Sequence, residues 1–149
     1  MVDSPILVIG PFASAPTGYG GQLCDERPPG CGKELEATDE WKRMRSKVDG
    51  SKAADERDGF VKCHYWIKAP AGKRIEVKIV KIPANVTIDG CRYAGVEIKT
   101  HPDQRRTGYR FCSTSDVNVT LSSNSSVVPV ITYSRRNTTV VTKLEYRYV

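Results

Sequence analysis

From Phe60 onward the chain alternates between apolar and polar positions in short runs. "RIEVKIVKI" (74–82) sets Ile75, Val77 and Ile79 on one side and Arg74, Glu76 and Lys78 on the other, the period of two expected of a half-buried strand. "FVKCHYWIKA" precedes it and closes at Pro70-Ala71-Gly72, a turn. In "YAGVEIKT", Ala94, Val96 and Ile98 alternate with Gly95, Glu97 and Lys99. "VNVTLSS", "VVPVITYS" and "KLEYRYV" follow, the last setting Leu144, Tyr146 and Tyr148 against Glu145 and Arg147. Pro129 lacks the N–H a central strand would use, which predicts an edge strand or a bulge there. Between 34 and 48, Leu35, Trp41 and Met44 are too sparse for an amphipathic helix, and the segment reads as loop with at most a helical turn. Residues 1–30 are rich in Gly and Pro and hold no sustained period. Short strands, β-branched residues and frequent turn signals predict an all-β sandwich or barrel.

A length of 149 residues suits one domain with a short appendage. No apolar run approaches the roughly 18 residues of a membrane span, so none is expected. The formal net charge is +6, but the basic pairs Lys42-Arg43, Arg105-Arg106 and Arg135-Arg136 are scattered and read as solvated loops. Nucleic-acid binding, which wants cations clustered on one face, is not expected. The five cysteines (Cys24, Cys31, Cys63, Cys91 and Cys112) form no C-x-x-C pair, removing the usual zinc-ribbon and thioredoxin spacings. Glycosylation sequons begin at Asn85, Asn118, Asn124 and Asn137. Together with well-spaced cysteines they point to a secreted, extracellular glycoprotein. The opening "MVDSPILVIGPFASA" is a poor signal peptide: Asp3 stands where a basic residue belongs, and Gly10 and Pro11 interrupt the apolar run. Residues 1–14 therefore read as an atypical N-terminus or one that is not the native start.

The stretch "CRYAGVEIKTHPDQRRTGYRFC" (91–112) poses the chemical question. As metal ligands, Cys91 and Cys112 would want further Cys or His at short spacing. The chain has only His64 and His101, and no H-E-x-x-H. A disulfide between neighbouring strands needs no further partner, and that staple is the reading the residues favour. Glu97 lies on the polar side of its strand and is read as a solvated carboxylate, since general acid catalysis would need a second group in reach. No G-x-S-x-G elbow occurs, and "GYGG" (18–21) has the wrong flanks for a phosphate loop. No catalytic residue is assigned.

"CGKELEA" at 31, "CHYWIKAPAGKRIEVKI" at 63, "CRYAGVEI" at 91 and "YRFC" at 109 resemble the four-cysteine layout of a CUB domain. "SSNSSVVPVITYS" and "LEYRY" look like its closing strands. The resemblance covers residues 31–149 and implies an antiparallel, jelly-roll-like β-sandwich with disulfides Cys31–Cys63 and Cys91–Cys112. Ahead of it, "APTGYGGQLC" resembles the tail of an EGF-like module, so 15–30 reads as a remnant of such a module plus linker. Cys24 would be its last cysteine, left unpaired because the earlier ones are missing.

An EGF-like tail running into a CUB domain is similar to the C-terminal arm of nematode astacins, secreted zinc metalloendopeptidases linked to hatching and cuticle moulting. Their signature H-E-x-x-H-x-x-G-x-x-H is absent, so no zinc ligand is carried over and the chain is not expected to be an enzyme. Many CUB domains also bind calcium through two aspartates. Here those positions are Ala94 and Arg135, which implies that the calcium site is lost; Asp58 would be left alone. Trp66 follows Tyr65, which stands where the family usually has Trp, and as a half-exposed aromatic it is a candidate partner contact. The resemblance implies an extracellular module binding protein or carbohydrate, the non-catalytic targeting arm of a secreted metalloendopeptidase. Two alternatives stay open: a fragment of a metalloendopeptidase whose catalytic domain lies elsewhere, and a free-standing secreted CUB protein.

Overall fold

A computed structural model describes residues 27–28, 30–49, 61–82, 91, 94–101, 108–134 and 139–149. The described residues form two sheets packed face to face. One sheet orders β1 (Glu34–Glu36), β3 (Val61–Lys68), β8 (Val127–Ser134), β5 (Ala94–Ile98) and β6 (Tyr109–Phe111) as β1-β3-β8-β5-β6. The other runs β2-β9-β4-β7, from β2 (Lys42–Asp49), β9 (Thr139–Tyr148), β4 (Ile75–Lys81) and β7 (Thr120–Ser123). All pairings are antiparallel except β1 with β3, which is parallel. A short 3-10 turn lies at Thr114–Asp116. The all-β sandwich expected from the alternation is what forms.

The core follows from that alternation. Val48, Ile75, Val77, Ile79, Val140 and Leu144 from one sheet meet Ile67, Val96, Ile98, Val128 and Val130 from the other, all at or below 1% exposure. Each such side chain contributes about 1.5–3 kcal/mol of burial. A polar link crosses the core: Ser46 Oγ and Thr132 Oγ1 lie 2.8 Å apart, and Tyr65 Oη donates to Ser46 Oγ at 3.2 Å. Hydroxyls this deeply buried are tolerated because each has a partner.

Two expectations are corrected. Residues 42–49 are not loop but β2, paired over its full length with β9. Met44, Ser46 and Val48 face the core, and Ser46 in the middle of that face obscures the period. Pro129 lies neither on an edge nor in a bulge, since β8 runs between β3 and β5. It is tolerated there because it sits where β5 ends: its carbonyl accepts from Lys99 N at 3.0 Å, and the ladder needs no N–H from position 129 beyond that point.

Gly32 explains how the chain enters the sheet. The segment before β1 runs against β3, with His64 N donating to Cys31 O (2.9 Å) and Trp66 N to Lys33 O (3.1 Å). Gly32 has φ +112°, and a Cβ there would lie 1.8 Å from His64 O. Only glycine permits both the backbone conformation and the approach.

Candidate binding surfaces

Cys31 and Cys63 form one disulfide and Cys91 and Cys112 the other, with Cα separations of 4.6 and 5.6 Å. None of these four sulfurs is therefore a thiolate. Cys24 lies outside the described residues.

Glu97 is not the solvated carboxylate its alternating position implied. It is 3% exposed, accepts from Gly108 N at 2.9 Å and from Arg110 Nε at 3.1 Å, and Lys99 beside it is 2% exposed. Burial pulls the Lys99 amine down from its usual range, against the Glu97 charge that raises it. The neighbouring Tyr133 hydroxyl donates to Cys91 O at 2.6 Å, and Arg110 lies over the Tyr133 ring at 5.8 Å. Glu97 thus ties residues 108–110 to β5 beside the second disulfide. Its lone pairs are committed to structure, an arrangement suited to holding a loop end rather than to moving a proton.

His64 lies on the same outer face, on β3, across Ile131 of β8 from Glu97. Its Nδ1 is buried without a hydrogen-bond partner, and its pKa is lowered from 6.5 to about 4 by burial first, then by the charges of Lys62, Arg27 and Lys99. Among the described residues no three His, Cys, Asp or Glu converge to hold a metal. A catalytic zinc site needs at least three such ligands, and the described residues bring no such set together.

The expected Trp66 contact is also corrected. Trp66 is 6% exposed, and on the same outer face Ile131, Glu97 and Lys99 are 2 to 3% exposed, so that face is not open surface. A tryptophan beside proline (Trp66 pairs with Pro129) and isoleucine is shielded where an isolated aromatic would not be. Ala94 faces the core at 1% exposure and brings no oxygen. Arg135 and Asp58 lie outside the described residues. Of the sequons, Asn118 and Asn124 are exposed, one in a turn with φ 75° and the other between β7 and β8. Asn85 and Asn137 lie outside the described residues.

A surface that sequence reading missed lies on the outer face of the four-stranded sheet. Rows of side chains cross β2, β9 and β4. In one, Arg43 and Lys78 flank Glu145, at 3.1 and 3.6 Å. Next to it Arg147 pairs with Glu76 at 2.7 Å and lies over the Trp41 ring at 4.6 Å. On the opposite side the pattern breaks: Arg45 and Lys81 both stand opposite Lys143, three cations in one row. Lys47 stands beside them on β2. None of the four has a carboxylate partner among the described residues. Of the basic pairs expected in loops, Lys42-Arg43 lies in strand β2; Arg105-Arg106 and Arg135-Arg136 lie outside the described residues.

The chain is 47% identical over 134 residues to the zinc metalloproteinase nas-31 of Caenorhabditis elegans, covering 90% of this chain and 21% of that protein. It is 36% identical over 141 residues to nas-25 of the same organism, covering 91% and 34%. The chain therefore spans about a fifth to a third of the curated relatives it matches. Among solved structures, the CUB1-EGF-CUB2 domains of rat MASP-1 match at a TM-score of 0.57 and 16% identity, over 90% of this chain and 47% of that one. The MASP-1 CUB2 domain bound to Ca2+ matches at 0.50 and 15%, over 76% and 96%. No family model matches the chain. The fold is that of a CUB domain, and the sequence is homologous to a minor, non-catalytic part of nematode astacin-type zinc metalloproteinases.

Proposed function

We propose that this CUB-fold chain is the binding arm of a secreted astacin-type metalloproteinase, holding the enzyme on extracellular protein or glycan while another part of the protein carries out hydrolysis. The observation that carries the reading is the 47% identity confined to about a fifth of a zinc metalloproteinase. Among the described residues no zinc-ligating set converges, and the reading assigns this chain no catalytic step. What it supplies is a rigid, doubly cross-linked sandwich, a scaffold from which one surface can bind without rearrangement.

Three finer points belong to the same reading. Residues 15–30, with Cys24, are the tail of an EGF-like module. Asn118 and Asn124, exposed in turns, are acceptors for glycan, as are Asn85 and Asn137 by sequence. Recognition is independent of calcium: the MASP-1 CUB2 structure is described as bound to Ca2+, whereas position 94 here is a buried methyl group.

The test is co-sedimentation of the oxidised, secreted chain with insoluble nematode extracellular matrix, in calcium and in EDTA. Equal, saturable binding in both is expected. Absence of saturable binding would overturn the binding-arm reading, and binding lost in EDTA would overturn calcium independence.

A further inference from the structure

The unpaired cationic row on the four-stranded sheet has a physical cost that the fold does not explain. Like charges directly opposite across strands destabilise a sheet, and Arg45, Lys143 and Lys81 place three in succession across β2, β9 and β4. Neighbouring strands lie about 4.8 Å apart, so the row spans about 10 Å. Lys47 and Arg43, each two residues from Arg45 on the same face of β2, extend it along the sheet. Arg43 is the member of this group paired with an acid, Glu145. Arg45, Lys47 and Lys81 are exposed and Lys143 is half-buried, so its stem packs against the sheet while its amine faces out.

We propose that this row is a docking surface for a sulfated polysaccharide, resting on the binding-arm reading and naming the chemistry of its ligand. The argument is charge complementarity on a rigid, nearly flat support. An extended polyanion laid across the strands would meet a cation on each of three successive strands and relieve their mutual repulsion. On the paired side of the face Arg43, Lys78 and Arg147 are committed to Glu145 and Glu76, so the uncompensated charge, and with it the footprint, centres on the Arg45 side. A disulfide-bonded chain works in an oxidising compartment, where sulfated glycans are an available polyanion. Nucleic acid and the anionic cytoplasmic leaflet are not.

The test uses the oxidised full chain and heparin as the probe. The wild-type chain should be retained on heparin at about 0.15 M salt and not on chemically desulfated heparin. The triple variant Arg45→Ser, Lys81→Ser, Lys143→Ser should bind heparin roughly tenfold or more weakly, with a shallower salt dependence as counterion-releasing contacts are lost. Its melting temperature should hold or rise, which separates lost binding from lost fold. The charge-matched control Lys33→Ser, Lys73→Ser, Arg74→Ser should bind within about twofold of wild type, because long-range charge alone is screened at this salt.

Equal weakening of the two triples would overturn the proposal, as would retention on desulfated heparin. Tighter binding to single-stranded DNA, polyglutamate or phosphatidylserine vesicles than to heparin would also overturn it. Matrix binding with no heparin binding sinks this inference and leaves the binding-arm reading standing. Heparin binding with no matrix binding does the reverse.

Discussion

Acid should unfold this domain partly through one ring. The unfolded chain protonates His64 near pH 6.5, whereas the folded chain resists until about 4, because Nδ1 is buried without an acceptor and Lys62, Arg27 and Lys99 repel a further positive charge. Above pH 6.5 the ring is neutral in both states and contributes no proton-linked term. As pH falls from 6.5 to 4 the unfolded state takes up a proton that the folded state refuses, so stability is lost across that window and the loss saturates below it. The gap corresponds to about 3 kcal/mol. The ring is only partly buried, and screening by water at its accessible edge reduces this to roughly 1–2 kcal/mol. The assay is urea unfolding of wild type and His64→Gln at intervals from pH 7.5 to 4 without reductant. Carboxylates that titrate in the same range cancel in the difference. With m about 2 kcal/mol/M, the wild-type midpoint should fall by roughly 0.5–1 M more than that of the variant. A constant difference between the two proteins over the whole range would refute the argument.

The two disulfides close loops of sequence separation 32 and 21, worth roughly 3–4 kcal/mol each in the chain-entropy model. Replacing Cys91 and Cys112 together by Ala should lower unfolding free energy by about 3 kcal/mol in urea melts, with Cys31 and Cys63 costing slightly more; a change under about 1 kcal/mol would contradict it. Glu97→Ala should cost about 1–2 kcal/mol, since it removes the acceptor of the half-buried Gly108 N–H and the ion pair to Arg110, whose guanidinium water can still solvate, and amide exchange at Gly108 should accelerate. Unchanged exchange there would show that Glu97 does not hold residues 108–110.

Strands with a clean apolar face were readable from the chain alone: β4, with Ile75, Val77 and Ile79, and β9, with Leu144, Tyr146 and Tyr148, lie as their alternation predicts. β2 was not readable, because its core face includes Ser46, whose burial depends on Thr132 and Tyr65 from the facing sheet. Position 97 looked solvated because alternation gives the face of a strand but not whether anything covers that face. The covering partners, Gly108 and Arg110, come from another strand and its approach. The cationic row was invisible for a related reason: Arg45, Lys81 and Lys143 are distant in sequence and become neighbours only through the β2-β9-β4 order. The disulfide pairing came from resemblance to a family, since spacing among four cysteines allows three connectivities.

The claim that this chain positions an enzyme without contributing chemistry is tested most directly by a fusion. Joined to the C-terminus of a zinc metalloproteinase catalytic domain lacking its own arm, the chain should raise cleavage of insoluble matrix several-fold at limiting enzyme, by raising its local concentration. It should leave kcat/KM on a soluble peptide unchanged within about twofold, because nothing at the reacting atoms has altered. No gain on matrix, or an equal gain on both substrates, would contradict the account.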